Sequence, residues 1–394
     1  MNRPSRLLTA AVVVAFAALC TVSAFAQARY VITNDDNSPN TATFYAIAPG
    51  GGLFTAKTIS TGGQGLGGGF FATPRVNVVH SADGNCVYVS DAVSNDVAGI
   101  NINTLKKTGT FPAGPGDSGD LYGIGLAMNA FHLYAAYTAS NTIATYGILP
   151  GCKLQYLSSI TAVGLNGNPV DGISVYRNKI MVVAYGDGSI ESFDISSGVP
   201  VSNNDLQFSS GYPNGNDPGG VDITQDGHYA IFGDIPTLVG FTTVEVSDIS
   251  TGKLKPTTVY GGDGSLGTAI NSNNVRLSPD EKWIYISNNS SGQVTAVGFN
   301  ASTGAVTSTN CVSNTLSGYF FTWFYTSGLA TAQATGNGKT IYVAEWGQPS
   351  SIGVVNVSVN SKGQCTLSES AKSYVNDANS QGLLSLGVYP PRAF

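Results

Sequence analysis

Seven short apolar segments of similar texture recur along the chain at intervals of about 50 residues, and this repetition constrains the fold more than any other feature. They read RYVITN, VYVSDA, LYAAYT, IMVVAY, YAIFGD, IYISNN and IYVAEW. A polar turn and a strand of alternating apolar and polar residues follow each segment, and turns such as SADG, SPDE and DISTG bound the units. No segment has the apolar stripe of an amphipathic helix. The pattern therefore predicts an all-β protein made of repeated antiparallel sheets.

The number of repeats predicts how these sheets are arranged. About four strands in each of seven repeats is typical of a seven-bladed β-propeller with four-stranded blades, in which the edges of the sheets are short and protected. The first repeat begins at Tyr30 with its second strand and lacks an inner strand. The segment 380–390, SQGLLSLGVYP, resembles an inner strand with no repeat after it. We therefore expect the C-terminal strand to pair into the N-terminal blade.

The first 26 residues have the features of a signal peptide. Arg3 and Arg6 precede the apolar run LLTAAVVVAFAAL, which is too short to span a bilayer, and Ala24 and Ala26 fit a cleavage site. No later apolar run approaches the length of a membrane span. The sequence predicts a signal peptide at 1–26 and one propeller domain at 27–394, exported to the periplasm or the extracellular medium.

Charge and cysteine content narrow the possible partners. Only 11% of the residues are charged, and no basic cluster is present, which argues against a nucleic-acid partner. Four cysteines follow the signal peptide, an even number that predicts two disulfides in an exported protein. Their spacing does not suit a zinc site. Of the three connectivities we favour Cys86–Cys152 and Cys311–Cys365, because each of these pairs would join neighbouring repeats.

One face of the predicted ring carries most of the long loops. The turns between second and third strands, and the links between blades, lie on this loop-rich face, and they include DDNSPN, EWGQPSS and the glycine-rich link that ends at Arg75. Long loops on a rigid scaffold are the usual location of binding sites. Candidate ligand-binding residues just after the second strands are Asp91, Tyr137, Tyr185, Asp234, Asn288, Asn289, Glu345 and Trp346. They could bind a cation or a neutral sugar, or they could form a solvated polar rim.

The inner strands add polar candidates along the central channel. Alignment of the turns TQDG and SPDE places Asp222 and Arg276 at equivalent depth in adjacent blades, with Gln333 next in line. Asp171 and Asn274 fall one layer nearer the loop-rich face. Two interpretations stay open at this point, an Asp222–Arg276 ion pair that plugs the channel and direct contact with a ligand.

Three segments carry a resemblance to a known family: VRLSPDEKWIYISNNSSGQVTAVGFNASTGAV, SADGNCVYVSDAVSNDVAGINI and NGKTIYVAEW. They resemble the seven-bladed lactonase-type propellers, which include bacterial 6-phosphogluconolactonase and fungal carboxymuconate cyclase, and the YVTN surface-protein repeats. In those enzymes a Gly-Pro-Arg-His sequence precedes the strand and Asn-Glu ends it, and the resemblance implies that this His and Glu transfer protons. Here Asn274 occupies the His position and Asn289 the Glu position. Because an amide cannot exchange a proton near neutral pH, the catalytic motif is degenerate.

The remaining titratable groups leave two functional hypotheses. His80, His132 and His228 lie at or beside turns between first and second strands, which places them on the face opposite the loop-rich face. The first hypothesis is therefore a monomeric binding or interaction module for a small molecule, a glycan or a protein partner, with no cofactor. A structural calcium ion has little support, because DDNSPN lacks the ligand spacing of an EF-hand.

The alternative is an enzyme at the same face. A lactonase, lyase or cyclase acting on a sugar lactone or a carboxylated substrate would need a base and a group that positions an anion. The candidate bases are Asp91, Asp171, Asp234 and Glu345, and the candidate cations are Arg75 and Arg276.

Overall fold

The structure is a computed structural model that describes residues 29–66, 76–79, 85–112, 114, 116, 123–209, 220–234, 241–261, 263–267, 272–288, 290–317, 329–334, 340–345, 351–370 and 386–389. Within these ranges every regular element is a β-strand, and the 29 strands form seven separate antiparallel sheets. The predicted seven-bladed, all-β propeller is confirmed.

The first four blades follow the chain from its N-terminal side. Blade one consists of β29 (Leu386–Tyr389), β1 (Tyr30–Asn34), β2 (Thr41–Ile47) and β3 (Leu53–Ser60). Blade two consists of β4 (Val76–Val79), β5 (Cys86–Asp91), β6 (Asp96–Asn101) and β7 (Lys106–Pro112). Blade three consists of β8 (Ile124–Met128), β9 (His132–Tyr137), β10 (Thr142–Leu149) and β11 (Lys153–Thr161). Blade four consists of β12 (Val170–Tyr176), β13 (Ile180–Tyr185), β14 (Ser189–Asp194) and two short outer strands, β15 (Val201–Ser202) and β16 (Gln207–Phe208).

The other three blades repeat the same order of strands. Blade five consists of β17 (Gly220–Ile223), β18 (Tyr229–Asp234), β19 (Thr243–Asp248) and β20 (Lys255–Gly261). Blade six consists of β21 (Ser272–Leu277), β22 (Trp283–Asn288), β23 (Gln293–Asn300) and β24 (Ala305–Val312). Blade seven consists of β25 (Leu329–Ala334), β26 (Thr340–Glu345), β27 (Ser351–Val359) and β28 (Cys365–Glu369).

The hydrophobic core lies between neighbouring blades rather than at one centre. Tyr88 and Val97 of blade two, for example, pack in one cluster with Leu126 and Leu133 of blade three. Alternate residues of a strand point to opposite faces of its sheet, so each blade contributes to the seams on both of its sides. This arrangement explains why the second strands are apolar along most of their length, since they are covered on both faces.

Tyrosines in the second strands also bridge these seams. Tyr134 Oη donates to Gly198 O at 3.2 Å, and Tyr342 Oη donates to Gly51 O at 2.7 Å. Both acceptors lie in a turn between the third and fourth strands of the following blade, with φ of 89° at Gly198 and 88° at Gly51. Because this backbone conformation is favourable for glycine, the repeated glycines of these turns let the chain present its carbonyl to the neighbouring blade.

Two further connections hold blades together. Cys86–Cys152 joins blade two to the third blade, and Cys311–Cys365 joins the outer strands of blades six and seven, as predicted.

β29 pairs with β1 in antiparallel register from Tyr30 opposite Tyr389 to Thr33 opposite Leu386. The inner strand of blade one is therefore supplied by a segment from the other end of the sequence.

Candidate functional site

The ends of the second strands are buried instead of forming a rim in water. Every complete second strand from blade two to blade seven has six residues, and its last residue is Asp91, Tyr137, Tyr185, Asp234, Asn288 or Glu345. Five of these side chains are described, and each is at most 2% exposed. The sequence places these residues just after the strands, whereas the structure makes each of them the last residue of its strand, and the alternative of a solvated polar rim is wrong for these five. Their role in ligand binding stays a prediction.

Hydrogen bonds inside the blade seams explain why polar side chains are tolerated there. Tyr137 Oη and Tyr146 Oη lie 3.0 Å apart, and Tyr185 Oη donates to Glu191 Oε2 at 2.6 Å. Burial raises the pKa values of Tyr137 and Tyr185 well above the ordinary value of 10.0. These tyrosines are therefore neutral hydrogen-bonding groups at physiological pH.

Glu345 is the most unusual carboxyl group in this set. Ser351 Oγ donates to its Oε2, and Oε1 is buried without a hydrogen-bond donor among the described residues. Burial raises the pKa of Glu345 to about 7, with a smaller contribution from Glu369, while the hydrogen bond from Ser351 opposes the shift. A carboxyl group with this pKa is close to the range that a general acid or base needs, although its burial separates it from solvent.

Bulges occur in three inner strands at the end nearest the loop-rich face. Relative to its partner strand, β12 carries one extra residue between Val170 and Gly172, and β21 carries one between Ser272 and Val275. The third bulge lies in β25 between Leu329 and Ala332. β-Bulges often occur beside functional sites, where they change the direction of a side chain. Two of the sequence candidates, Asp171 and Asn274, lie within these bulges.

The inner strands pack closely at the level of these bulges. A Cβ atom on Gly220 would lie 2.7 Å from Asn274 Oδ1, and one on Gly172 would lie 3.1 Å from Val221 Cγ2. Asp171 is 3% and Asn274 is 1% exposed. The two glycines therefore allow β12 and β21 to approach β17 from its two sides, with Asp171 and Asn274 on the two flanking strands.

Asp222 and Arg276 lie one layer further from the loop-rich face than Asp171 and Asn274, and each contacts the strand that carries the other. Asp222 pairs with Ile231 and Arg276 with Tyr285, the third residues of β18 and β22, which confirms that the two positions are equivalent. Asp222 Oδ2 accepts from Leu277 N at 2.8 Å, and Arg276 Nη1 donates to Val221 O at 3.1 Å.

The inner strands need these contacts because one edge of each has no partner strand. The Asp222 carboxylate accepts from a backbone N–H of β21, and the Arg276 guanidinium donates to a backbone carbonyl of β17. Together they satisfy groups that a free strand edge would otherwise leave unpaired. This pattern favours the structural interpretation of the two residues.

The two described histidines, His132 and His228, lie far from the bulges. His132 is the first residue of β9, and His228 immediately precedes β18, so both lie at the end of the second strand opposite the loop-rich face. The five steps from the first to the last residue of a six-residue second strand cover about 17 Å, which separates these histidines from the loop-rich face. His228 Nδ1 lies 2.9 Å from Asp226 Oδ2 on an exposed turn, and burial lowers the pKa of His132. The predicted position of both is confirmed, whereas His80 lies outside the described residues.

Three of the six residues of DDNSPN, Asp35, Asp36 and Asn40, are buried, whereas Ser38 and Pro39 are exposed. Asp35 and Asp36 are each 1% exposed, and Asp35 accepts hydrogen bonds from Thr33, Thr41 and Thr43. Within the described ranges no three His, Cys, Asp or Glu side chains come together as potential metal ligands. Among all the residues that the structure describes, no helix is long and apolar enough to cross a membrane.

Several sequence candidates cannot be placed. Arg75, Asn289 and Trp346 lie outside the described residues. Asp234 is the last residue of β18 and Gln333 lies in β25, but only their backbone positions are described.

Sequence reasoning also missed two carboxyl groups near the second strands, Asp96, which is partly exposed, and Glu191, which is buried. Asp96 faces Asp91 across the β5–β6 hairpin, and Glu191 accepts from both Tyr185 and Ser202. The register of a hairpin is the signal that could have identified Asp96.

Comparison with solved structures supports the fold and goes no further. A candidate 6-phosphogluconolactonase from Bacteroides fragilis matches with a TM-score of 0.67 and 16% identity over 93% of this chain and 99% of its own. A second one, from Bacteroides uniformis, matches with a TM-score of 0.66 and 14% identity over 92% and 100%. A protein of unknown function from Desulfotomaculum acetoxidans matches with a TM-score of 0.65 and 12% identity over 92% and 99%. No protein-family profile and no curated protein sequence matches the chain. At these identities the likeness establishes a shared propeller architecture.

Proposed function

We propose that the chain is an exported, monomeric propeller that binds a hydroxyl-rich ligand, a glycan or another small polar molecule, at the loop-facing end of its central channel. The observation that carries this proposal is the coincidence of three inner-strand bulges at that end with Asp171 and Asn274 inside two of them. The two disulfides are typical of a protein that works in an oxidising compartment.

The chemistry of these two residues suits a neutral or cationic ligand. A carboxylate accepts hydrogen bonds from hydroxyl groups, and an amide both donates and accepts them. Asp171 and Asn274 lie on inner strands whose close approach is set by Gly172 and Gly220. A site on a rigid scaffold of this kind loses little conformational entropy on binding, which favours affinity.

The placement of proton-transfer groups favours binding over catalysis. His132 and His228 lie about 17 Å along the strands from the loop-rich face. Asp91 and Glu345 have raised pKa values, but both end second strands, which lie one strand further from the channel than the inner strands that carry Asp171 and Asn274. The group at the proposed site that replaces the histidine of the lactonase-type enzymes is the amide of Asn274.

The test is a ligand screen followed by matched variants. Purified protein would be screened on a glycan array and against a panel of polyols and sugar acids, and hits would be measured by isothermal titration calorimetry. We expect Asp171→Ala and Asn274→Ala to weaken binding at least tenfold, with thermal unfolding reported in parallel to show that the variants fold. Asp263→Ala, on an exposed turn, is the control and should bind as wild type does. Unchanged affinity in both site variants would rule out this location.

Hydrolysis of a sugar lactone is the second candidate function. It is favoured by the likeness in fold to candidate 6-phosphogluconolactonases and by the Glu345 carboxyl group, whose pKa is about 7. Purified protein would be incubated with 6-phosphogluconolactone and related sugar lactones in a pH-stat assay. Turnover that Asp171→Asn or Glu345→Gln abolishes, in folded protein, would replace the binding proposal with an enzymatic one.

A further inference from the structure

Two carboxyl groups face each other in the seam between blades one and two. Asp91 ends β5, Asp96 begins β6, and the two residues are direct partners across the hairpin. Asp91 is fully buried, and its Oδ1 accepts from Asn40 Nδ2 at 2.7 Å and from Thr61 Oγ1 at 2.6 Å, both in blade one. Asp91 Oδ2 and Asp96 Oδ1 are buried, and no described residue donates a hydrogen bond to either atom.

Blade six contains the amide version of the same corner. Asn288 ends β22 and faces Gln293, the first residue of β23. Its Oδ1 accepts from Thr242 Oγ1 of blade five at 2.7 Å, as Asp91 Oδ1 accepts from Thr61 of blade one. Its Nδ2 donates to Thr295 Oγ1 at 3.0 Å and to Gln293 O at 3.2 Å. The second atom of the side chain is therefore a donor in blade six, and Asp91 can supply a donor only when it is protonated.

From this geometry we infer that Asp91 and Asp96 share one proton, with Asp91 Oδ2 donating to Asp96 Oδ1, and that this acid pair makes the seam between blades one and two sensitive to pH. Two adjacent carboxylates whose facing oxygens are closed off from water do not both ionise at moderate pH, because burial of Asp91 and mutual repulsion both disfavour the second charge. Burial is the largest cause that raises the pKa of Asp91 to about 8, and the hydrogen bond to Asp96 is the next. The hydrogen bonds from Thr61 and Asn40 act in the opposite direction.

Other charged or titratable groups reach this corner from three directions. Asp36, on the loop after β1, accepts a hydrogen bond from Leu66 N. Leu66 belongs to the segment 61–66, which packs against Asp91 at Gly63. Lys107 of β7 hydrogen-bonds to Thr110, whose hydroxyl donates to Thr61 O. From blade three, Tyr137 and Tyr146 are close enough for the charge of Asp96 to raise their pKa values. Within the described residues none of these groups donates a hydrogen bond to the two facing oxygens.

The sign of the effect follows from the protons bound in each state. The ordinary pKa of the aspartate is 3.8, so between about pH 4 and pH 8 the folded protein holds a proton that the unfolded chain has released. The ratio of folded to unfolded protein therefore falls as the pH rises through this range, by up to about tenfold per pH unit for one proton. Above about pH 8 the folded state also loses the proton, and the acid pair carries two negative charges.

Asp91→Asn is the variant that tests the shared proton. An asparagine at this position keeps an oxygen for Asn40 and Thr61 and gains a permanent donor towards Asp96, as Asn288 has in blade six. Urea unfolding of the full chain, with its disulfides intact, would be measured from pH 5 to pH 9. Because Glu345 also has a raised pKa, the readout is the difference between wild type and Asp91→Asn rather than the slope of either alone. The exposed variant Asp263→Asn is the control.

We expect the folded-to-unfolded ratio of Asp91→Asn, relative to wild type, to rise by at least tenfold between pH 5 and pH 8, while Asp263→Asn follows wild type. The infrared difference spectrum of wild type minus Asp91→Asn at pH 7 should show the carbonyl band of one protonated carboxyl group. Parallel pH profiles of wild type and Asp91→Asn would overturn the inference. A response to calcium would also overturn it. If calcium chloride raised and EDTA lowered the urea midpoint of wild type at pH 8, but not that of Asp91→Asn, the acid pair would hold a cation instead of a proton.

Discussion

Replacing Asp222 by alanine tests whether the channel residues hold the ring together. The Asp222 carboxylate accepts from Leu277 N at 2.8 Å in the neighbouring blade and from Ile223 N at 2.9 Å in its own strand. Asp222 is only 7% exposed, so water cannot fully replace either interaction. Hydrogen bonds to a charged acceptor contribute about 1.5–3 kcal/mol each, and the two share one carboxylate. We expect Asp222→Ala to lower the free energy of unfolding by about 3 kcal/mol.

The measurement is urea unfolding at pH 7, monitored by tryptophan fluorescence. For a domain of this size a loss of about 3 kcal/mol corresponds to a fall in Tm of about 4 °C, which calorimetry would resolve. Asp222→Asn keeps one acceptor oxygen and should lose roughly half as much, and Asp263→Ala should match wild type. A loss below about 1 kcal/mol for Asp222→Ala would refute the reasoning, since the backbone N–H of Leu277 would then have another partner.

Two further substitutions test the seams and the close approach of the inner strands. The double change Cys86→Ser and Cys152→Ser removes a cross-link between residues 66 positions apart in the sequence. Loop-closure entropy predicts that the free energy of unfolding falls by about 4 kcal/mol, which urea unfolding of the oxidised protein would measure. An unchanged urea midpoint would contradict this estimate. Gly220→Ala would place a Cβ atom 2.7 Å from Asn274 Oδ1 and 2.9 Å from Asn274 Cα. We therefore expect the free energy of unfolding in urea to fall by about 1–3 kcal/mol. Gly50→Ala is its control, because no atom lies within 4 Å of the added carbon, and equal stability of the two variants would mean that the strands can separate at no cost.

The architecture could be predicted because the propeller repeats one local pattern seven times. Each second strand has a polar turn before it and a polar residue at its end, so strand length and blade number follow from spacing alone. Both disulfides could be predicted for the same reason, since neighbouring blades bring Cys86 near Cys152 and Cys311 near Cys365. The equivalence of Asp222 and Arg276 required only the alignment of two turns.

The environment of the candidate residues could not be predicted in the same way. Asp91 and Glu345 look like solvated loop residues in the sequence, but loops and strands of neighbouring blades cover them. The partners of Asp91, Asn40 and Thr61, come from a different blade, and spacing within one repeat carries no information about them. The bulges at Asp171 and Asn274 depend on which residues of two strands pair with each other, and the short inner strands taken alone do not show where the extra residue is inserted.

The pairing of β29 with β1 also bears on how the molecule reaches its native state. The two strands are separated by almost the whole sequence, so their contact costs more loop-closure entropy than any hairpin within a blade. Long-range pairings of this kind slow folding. Blade one consequently remains without its inner strand until the other six have been synthesised, and shortened chains that stop before Leu386 should be poorly folded and prone to associate through the exposed edge of β1.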